Sequence, residues 1–280
     1  VNYLYIKFIQ IVLDYYRQFG RHDLPWRKNQ TPYRVVVSEI MLQQTQAPRV
    51  VMYFNEWTRH FPNWKALAGA SRKDVLLAWK GLGYNSRAIR LHELAKIISN
   101  KYQGRLPMEY QKLCSLPGVG PYTAGAIRAF AWDEWTPIIE TNIRRVFIHH
   151  FFRSKEEVSD KEIMKVIMKV GIPESPRQWY EALMDYGAHL PKQTKNNPNR
   201  QSRHYTKQSA FRGSRRELRG KILKIMLDSA SKKVSKQKVM EMVNKNYSLN
   251  VERDFLEEVL AGMERDGILL VHPKKIELVS

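Results

Sequence analysis

Two glutamates stand in settings that suit acid–base chemistry of opposite kinds. Glu39, in SEIMLQQTQ (38–46), lies on a helical pattern among Val35, Val36, Val37, Ile40, Met41 and Leu42. Burial among such residues raises a carboxyl pKa, and each unit corresponds to about 1.4 kcal/mol of preference for the protonated form. An acid still protonated near neutral pH can donate its proton in catalysis. Glu140, in PIIETNIRR (137–145), precedes a helix that begins at Thr141 and carries Arg144 and Arg145. The positive helix end and the two arginines favour its ionised form. Two carboxyl groups pushed towards opposite protonation states are what acid-assisted cleavage of a glycosidic bond requires. On local sequence alone, Glu39 paired with Arg27 or Arg34 and Glu140 as a first-turn helix acid remain open alternatives.

A third signal is LCSLPGVGPYTAGAI (113–127), where one helix ends at a Pro-Gly-Val-Gly turn and another starts at once. Gly118 and Gly120 leave backbone N–H groups uncovered, and Pro121 suits a first helical turn. A phosphate fits such a positive helix end; an ordinary tight connection between helices explains the turn equally well.

The elements that must position these residues are mainly helical. Most segments from Val1 to about Gly187 show apolar residues at helical spacing, punctuated by Pro, Gly or Asn, with no long alternating strand pattern. The stretch 191–213 scatters Lys and Arg among Asn, Gln, Ser and Pro and reads as a basic linker. Beyond it, three helical patterns precede ILLVHPKKIELV (268–279), read as two strands about a His-Pro-Lys-Lys turn. The expected class is all-α with a small C-terminal β-hairpin.

Lys and Arg outnumber Asp and Glu by 47 to 27, a formal charge of +20, which favours an anionic partner, nucleic acid first. No apolar run is long enough to span a membrane, and the first residues lack a signal-peptide pattern, so the expectation is a cytoplasmic protein, nucleoid-associated if bacterial. The single cysteine, Cys114, excludes an internal disulfide and a Cys-clustered zinc or iron–sulfur site.

Taken in order, HDLPWR, TPYRVVVSEIMLQQTQ, GLGYNSRAIRLHELA, LPGVGPYTAGAI and YEALMDYGA resemble the helix-hairpin-helix DNA glycosylases, specifically the MutY-type adenine DNA glycosylases, over roughly residues 20 to 190. The resemblance implies a six-helix barrel domain at 30–135 and a second helical domain from 1–29 plus 136–190, with the active site in the cleft between them. A basic linker at 191–213 and a winged-helix-like domain at 214–280 complete the expected layout.

By the same resemblance, Glu39 protonates the adenine leaving group and Tyr122 lies near the reacting sugar. Glu140 takes the place of the family's catalytic Asp, and Asn142 matches an Asn two residues on. Trp26 and Glu181 are expected behind these groups. Gln43 and Gln44 resemble residues that enter the duplex near the mispaired base, and Tyr84 resembles an aromatic wedge. Gly118, Val119, Gly120 and Thr123 would meet the DNA backbone, and main-chain groups of Cys114, Leu116 and Val119 would hold a sodium or potassium ion. Bifunctional relatives place a Schiff-base Lys where this chain has Tyr122, so the implied enzyme is monofunctional and leaves an abasic site.

Three departures stand out. Where the family carries four iron–sulfur cysteines, this chain has Pro191, Pro198, Gln201 and Lys207, so no cluster is expected. A winged-helix-like sequence replaces the hydrolase-like domain that reads 8-oxoguanine in many relatives. Glu replaces Asp at 140, and the extra methylene moves a carboxylate by about 1.5 Å on an unchanged backbone. The leading expectation is excision of adenine opposite guanine or 8-oxoguanine in double-stranded DNA by a monomeric enzyme. A thymine or uracil mismatch glycosylase and an inactive lesion-binding protein are the alternatives.

Overall fold

In the computed structural model, which describes residues 3–173, 175–194, 196–206, 210–229, 231, 233–247 and 251–279, the helical spacing becomes α-helices throughout the first two thirds of the chain. They are α1 (Tyr3–Phe19), α2 (Pro25–Lys28), α3 (Pro32–Leu42), α4 (Ala47–His60), α5 (Trp64–Ala68), α6 (Arg72–Trp79), α7 (Ser86–Lys101) and α8 (Tyr110–Cys114). There follow α9 (Pro121–Trp132), α10 (Thr141–Phe151), α11 (Asp160–Val170), α12 (Pro176–Gln193) and a 3-10 turn at Pro198–Gln201. The last part holds α13 (Arg215–Asp228), β1 (Lys233–Ser235), α14 (Lys236–Tyr247), α15 (Arg253–Arg265), β2 (Leu269–Val271) and β3 (Lys275–Leu278).

The chain forms two compact units, one of Val1–Glu39, Pro107–Ser115 and Val119–Lys207, the other of Ile40–Leu106, Leu116–Gly118 and Gln208–Ser280. In the first, α1 buries Phe8, Val12 and Tyr16, spaced four residues apart and therefore on one helix face. Phe8 meets Phe151, Phe147 and Trp179 edge-on at ring-centroid distances of 4.9, 5.3 and 5.8 Å. Ser159 and Glu162 close a capping box on α11, and Ser175 caps α12, so these helix starts are encoded locally.

In the second unit α4, α5, α6 and α7 surround a core in which Trp57 and Trp79 meet edge-on at 5.3 Å beside the buried Leu67, Leu91 and Leu94. Asn63 and Ser71 cap α5 and α6. The C-terminal helices belong to this unit and pack around Leu218, Ile222, Val239, Leu260 and Met263. Its sheet is antiparallel in the order β1-β3-β2, with Val234 opposite Ile276 and Leu270 opposite Glu277. The hairpin matches the expected strands; β1, three residues long, is too short to show a readable alternation.

The boundaries differ from the sequence reading. α9 and the first turns of α3 group with the flanking helices rather than with 40–106. The 214–280 segment is integrated with 40–106 instead of forming a separate body. The expected linker at 191–213 is largely structured: α12 runs on to Gln193, and Val158 pairs with Ser202 in a parallel bridge. Basic composition concealed this, because the pinning bonds come from Asn and Gln side chains and from the main chain. Lys195 and Lys207 lie outside the described residues.

Candidate active site and nucleic-acid interface

All four residues expected to carry chemistry belong to the first unit. Glu39, on the last α3 turn of that unit, is 7% exposed. Its carboxylate accepts a hydrogen bond from the Tyr122 hydroxyl at 3.4 Å. Burial pushes its pKa up to about 7; the Tyr122 hydrogen bond and Arg27 oppose that shift, and the charge of Glu140 adds to it. Arg27 forms its close ion pair with Asp185, and Arg34 donates to the carbonyls of Asn29 and Pro25, so the simple Glu39–Arg pairing is not what the structure holds. Burial beside two carboxyl groups raises the Tyr122 pKa well above its ordinary value, so the phenol stays a neutral donor.

Glu140 caps α10. One carboxylate oxygen accepts the backbone N–H groups of Asn142 and Ile143 at 2.7 and 2.8 Å, and the other accepts the Asn142 side-chain amide at 3.2 Å. The expected electrostatics need correcting here. Burial outweighs the two backbone hydrogen bonds and the charges of Arg145 and Arg144, and moves the pKa above its ordinary value. Its hydrogen-bond partners nevertheless favour the ionised form. Arg145, which has no acceptor, donates to the Asn142 amide oxygen at 2.8 Å and thereby turns the amide nitrogen towards Glu140. All three groups facing the carboxylate are donors, and a proton on the oxygen facing Asn142 would oppose one of them. Arg144 itself is held by Asp160 through two bonds of 2.8 Å.

Glu181 and Asp185, one turn apart on α12, anchor a buried network near these groups. Glu181 accepts from Tyr16 at 2.6 Å and from Gln30 at 2.8 Å, and Asp185 accepts from Arg27 and Arg21. The arginines outweigh burial and keep the Asp185 carboxyl below its ordinary pKa. Trp26, buried in α2, precedes Arg27 and fixes where that guanidinium starts. Sequence reasoning singled out Trp26 and Glu181 but missed Asp185, and it named Arg145 only as a charge near Glu140, not as the partner of Asn142; a buried acid four residues after Glu181 was the available signal for the first.

The residues expected to meet DNA fall into two groups. In the second unit, Gln43 and Gln44 follow α3, while Tyr84 lies in the loop after α6. Among the described residues only Gln44, Tyr84, Gln103 and Asp133 combine a side chain with a positive φ, and two of these four are expected DNA contacts. Such backbone strain persists only where surroundings enforce it. Arg87 does so for both: one terminal nitrogen donates to the carbonyls of Ile40, Met41 and Gln43, the other to those of Leu82 and Gly83 and to the Thr45 hydroxyl. Burial lowers its pKa to about 10, which leaves it charged at neutrality.

The other group is the turn between α8 and α9. Gly118 has φ +79°, where an added Cβ would crowd Arg90 at 3.3 Å. Gly120 has an ordinary φ of −90°, and nothing lies within 4 Å of an added Cβ. Glycine there leaves the start of α9 approachable from outside. Gly120→Ala is therefore expected to cost no more than the roughly 1 kcal/mol by which alanine is the poorer N-cap while weakening duplex binding several-fold, as checked by thermal unfolding and fluorescence anisotropy. Val119 and Thr123 turn their side chains inward, at 5% and 4% exposure, so any role at the DNA backbone falls to their main chain.

Comparison with known proteins agrees with this geometry. Residues 37–173 match the model of the HhH-GPD superfamily base excision DNA repair proteins. Over that segment the chain is similar to the HhH-GPD superfamily. It is 37% identical to the adenine DNA glycosylase of Buchnera aphidicola subsp. Acyrthosiphon pisum over 186 residues, covering 65% of this chain and 53% of the relative. It is 46% identical to that of Mycobacterium tuberculosis H37Rv over 136 residues, 48% of this chain and 44% of the relative. The chain thus spans about half the length of these relatives. Among solved structures, a thermostable thymine-DNA glycosylase superposes with a TM-score of 0.58 at 24% identity, over 66% of this chain and 86% of that one.

The segment where the resemblance places an iron–sulfur cluster does not fit one. Pro191, Pro198 and Gln201 offer no metal-binding side chain, and no group of three or more His, Cys, Asp or Glu suited to a metal ion occurs among the described residues. Other bonds pin the segment. Pro191 cannot donate to the Gly187 carbonyl one turn earlier in α12, and Arg145 supplies that donor. Arg145 also donates to Asn197, Asn199 donates to the Thr141 carbonyl at 2.9 Å, and Gln201 donates to carbonyls at the end of α10. Arg145 therefore connects Asn142 directly to the segment that stands in for the cluster.

Proposed function

We propose that this chain is a monofunctional DNA glycosylase that flips adenine out of A·G or A·8-oxoguanine mismatches and hydrolyses its glycosidic bond. The carrying observation is the pair of differently held carboxyl groups in one unit: Glu39, buried with a pKa near 7, and Glu140, whose carboxylate accepts three N–H donors. Glu39 gives its proton to the base, which leaves as neutral adenine. Ionised Glu140 stabilises the oxocarbenium-like sugar, or adds to it transiently, until water completes the substitution. Tyr122 orients Glu39 through its hydroxyl, and Asn142 orients Glu140. With tyrosine in place of a Schiff-base lysine, no covalent intermediate leads to strand cleavage.

The adenine DNA glycosylases at 37% and 46% identity support adenine as the base, as does the retained EIMLQQTQ. The positive charge and the strained Gln44 and Tyr84 support a duplex partner whose target base is extruded, at a cost lowest at a mismatch. Under the same reading, the carbonyls of Cys114, Leu116 and Val119 at the hairpin hold a monovalent cation beside a DNA phosphate. The helix, strand, two helices and hairpin of the C-terminal module support a winged-helix assignment.

The test is excision from duplexes carrying A·G, A·8-oxoguanine, T·G or U·G, followed by alkali. Cleavage confined to the adenine strand, with no borohydride-trapped adduct, is expected. Cleavage only at thymine or uracil, or tight mismatch binding without any cleavage, overturns it.

A further inference from the structure

The C-terminal module reaches the loop that carries Tyr84. Three arginines open α13, and two of them are engaged within the module: Arg215 pairs with Glu258 and Arg219 with Asp266, both acids belonging to α15 or its C-cap. Arg216 points elsewhere. One of its terminal nitrogens donates to the Tyr84 hydroxyl at 3.1 Å, and the guanidinium carbon lies 5.9 Å from the Tyr84 ring centre. Arg87 approaches the same ring at 5.4 Å, so two cations attend one phenol.

α13 meets this segment at both of its ends. At its far end Asp228 accepts from Lys80 at 2.6 Å, and Lys80 immediately precedes the Gly-Leu-Gly-Tyr loop. The Gly267 carbonyl, just past α15, accepts from Arg72 at 3.0 Å. The two α13 contacts lie twelve positions apart, a helical rise of roughly 18 Å, with Arg216 at the Tyr84 end. Arg212 and the 61% exposed Phe211 lie just before that helix.

We propose that Arg216 is a positioning residue for mismatch recognition, through which the C-terminal module fixes the Tyr84 ring in the orientation that enters duplex DNA. The proposal rests on the reading of Tyr84 as a DNA wedge. An aromatic on a strained loop gains affinity when its side chain is ordered before binding, since less conformational freedom is then lost in the complex. The hydrogen bond to the phenol supplies that order, and the adjacent cation attracts the phosphate of the nucleotide being parted. The module thereby acts at the mismatch and not only as added basic surface.

The full chain and its Arg216→Ala, Arg216→Lys, Tyr84→Ala and double variants would be titrated, by anisotropy, with an A·G duplex and its fully paired counterpart at two salt concentrations. Arg216→Ala is expected to reduce the mismatch-to-paired affinity ratio by about 3- to 10-fold and to have no such effect in the Tyr84→Ala background. Arg216→Lys is expected to restore binding to paired DNA but not the ratio. Equal loss on both duplexes, an undiminished effect without Tyr84, or tighter mismatch binding by Arg216→Ala would overturn the proposal. Absence of mismatch preference in the unaltered chain would also overturn it. If the chain prefers the mismatch but releases no adenine, the excision reading fails while the Arg216 result stands.

Discussion

Glu39→Gln is expected to slow single-turnover adenine excision by about 10²- to 10⁴-fold, the usual contribution of a positioned general acid. The same change is expected to make the protein more stable above pH 7. In the folded state the Glu39 pKa is about 7, against an ordinary value of 4.5. The folded chain therefore keeps a proton that the unfolded chain releases, and stability contributed by this group falls as pH rises from 4.5 to 7, then levels off. The shift corresponds to about 3 kcal/mol. Glutamine removes the cost of a buried charge, though its amide N–H groups must find acceptors, which offsets part of the gain. Melting curves at pH 5 and pH 8 separate the terms: the variant gains a few degrees at pH 8 and little or nothing at pH 5. Unaltered protein should lose excision rate about tenfold per unit well above pH 7, as the acid deprotonates. A pH-independent rate through that range would remove Glu39 from the role of proton donor.

The helices were legible in the sequence because their signals are local: Phe8, Val12 and Tyr16 mark a buried face four residues apart, and Ser159 with Glu162 spells a capping box. Glu39 was legible as a buried acid because its apolar neighbours adjoin it in sequence. The unit boundaries were not, because they follow packing between distant segments. Arg87 shows the same limit at the site: six oxygens gathered from residues 40 to 45 and from 82 and 83 define its role, and none of that convergence is visible in GLGYNSR. Arg145 resembles a routine helix cation until Pro191 is seen to leave the Gly187 carbonyl without its helical donor. The Glu140 pKa was misjudged for a related reason: charges and helix ends can be read locally, whereas the burial that outweighs them comes from the whole unit.

Glu140→Asp and Glu140→Gln are expected to diverge sharply. The carboxylate folds back onto the first turn of its own helix, capping Asn142 and Ile143, the task for which Asp is among the best residues. The extra methylene is thus taken up by the side chain's turn towards the helix rather than carried outward. Asp at 140 should keep the cap, the charge and excision within about tenfold of the original rate, because a small displacement of a positioned group remains its only cost. Gln also caps, through its oxygen, but its amide nitrogen must then face the Asn142 amide nitrogen. Asn142 cannot turn away without setting its nitrogen against the donor-only Arg145. Two opposed donors in a part-buried site cost about 1–3 kcal/mol, and the negative charge opposite the developing cation is lost. Gln is therefore expected to lower single-turnover excision by at least about 10²- to 10³-fold and to reduce the melting temperature, while Asp does neither. Near-full excision by Glu140→Gln would show that the charge is not needed, and a large loss with Asp would show that reach, not charge, is what position 140 supplies.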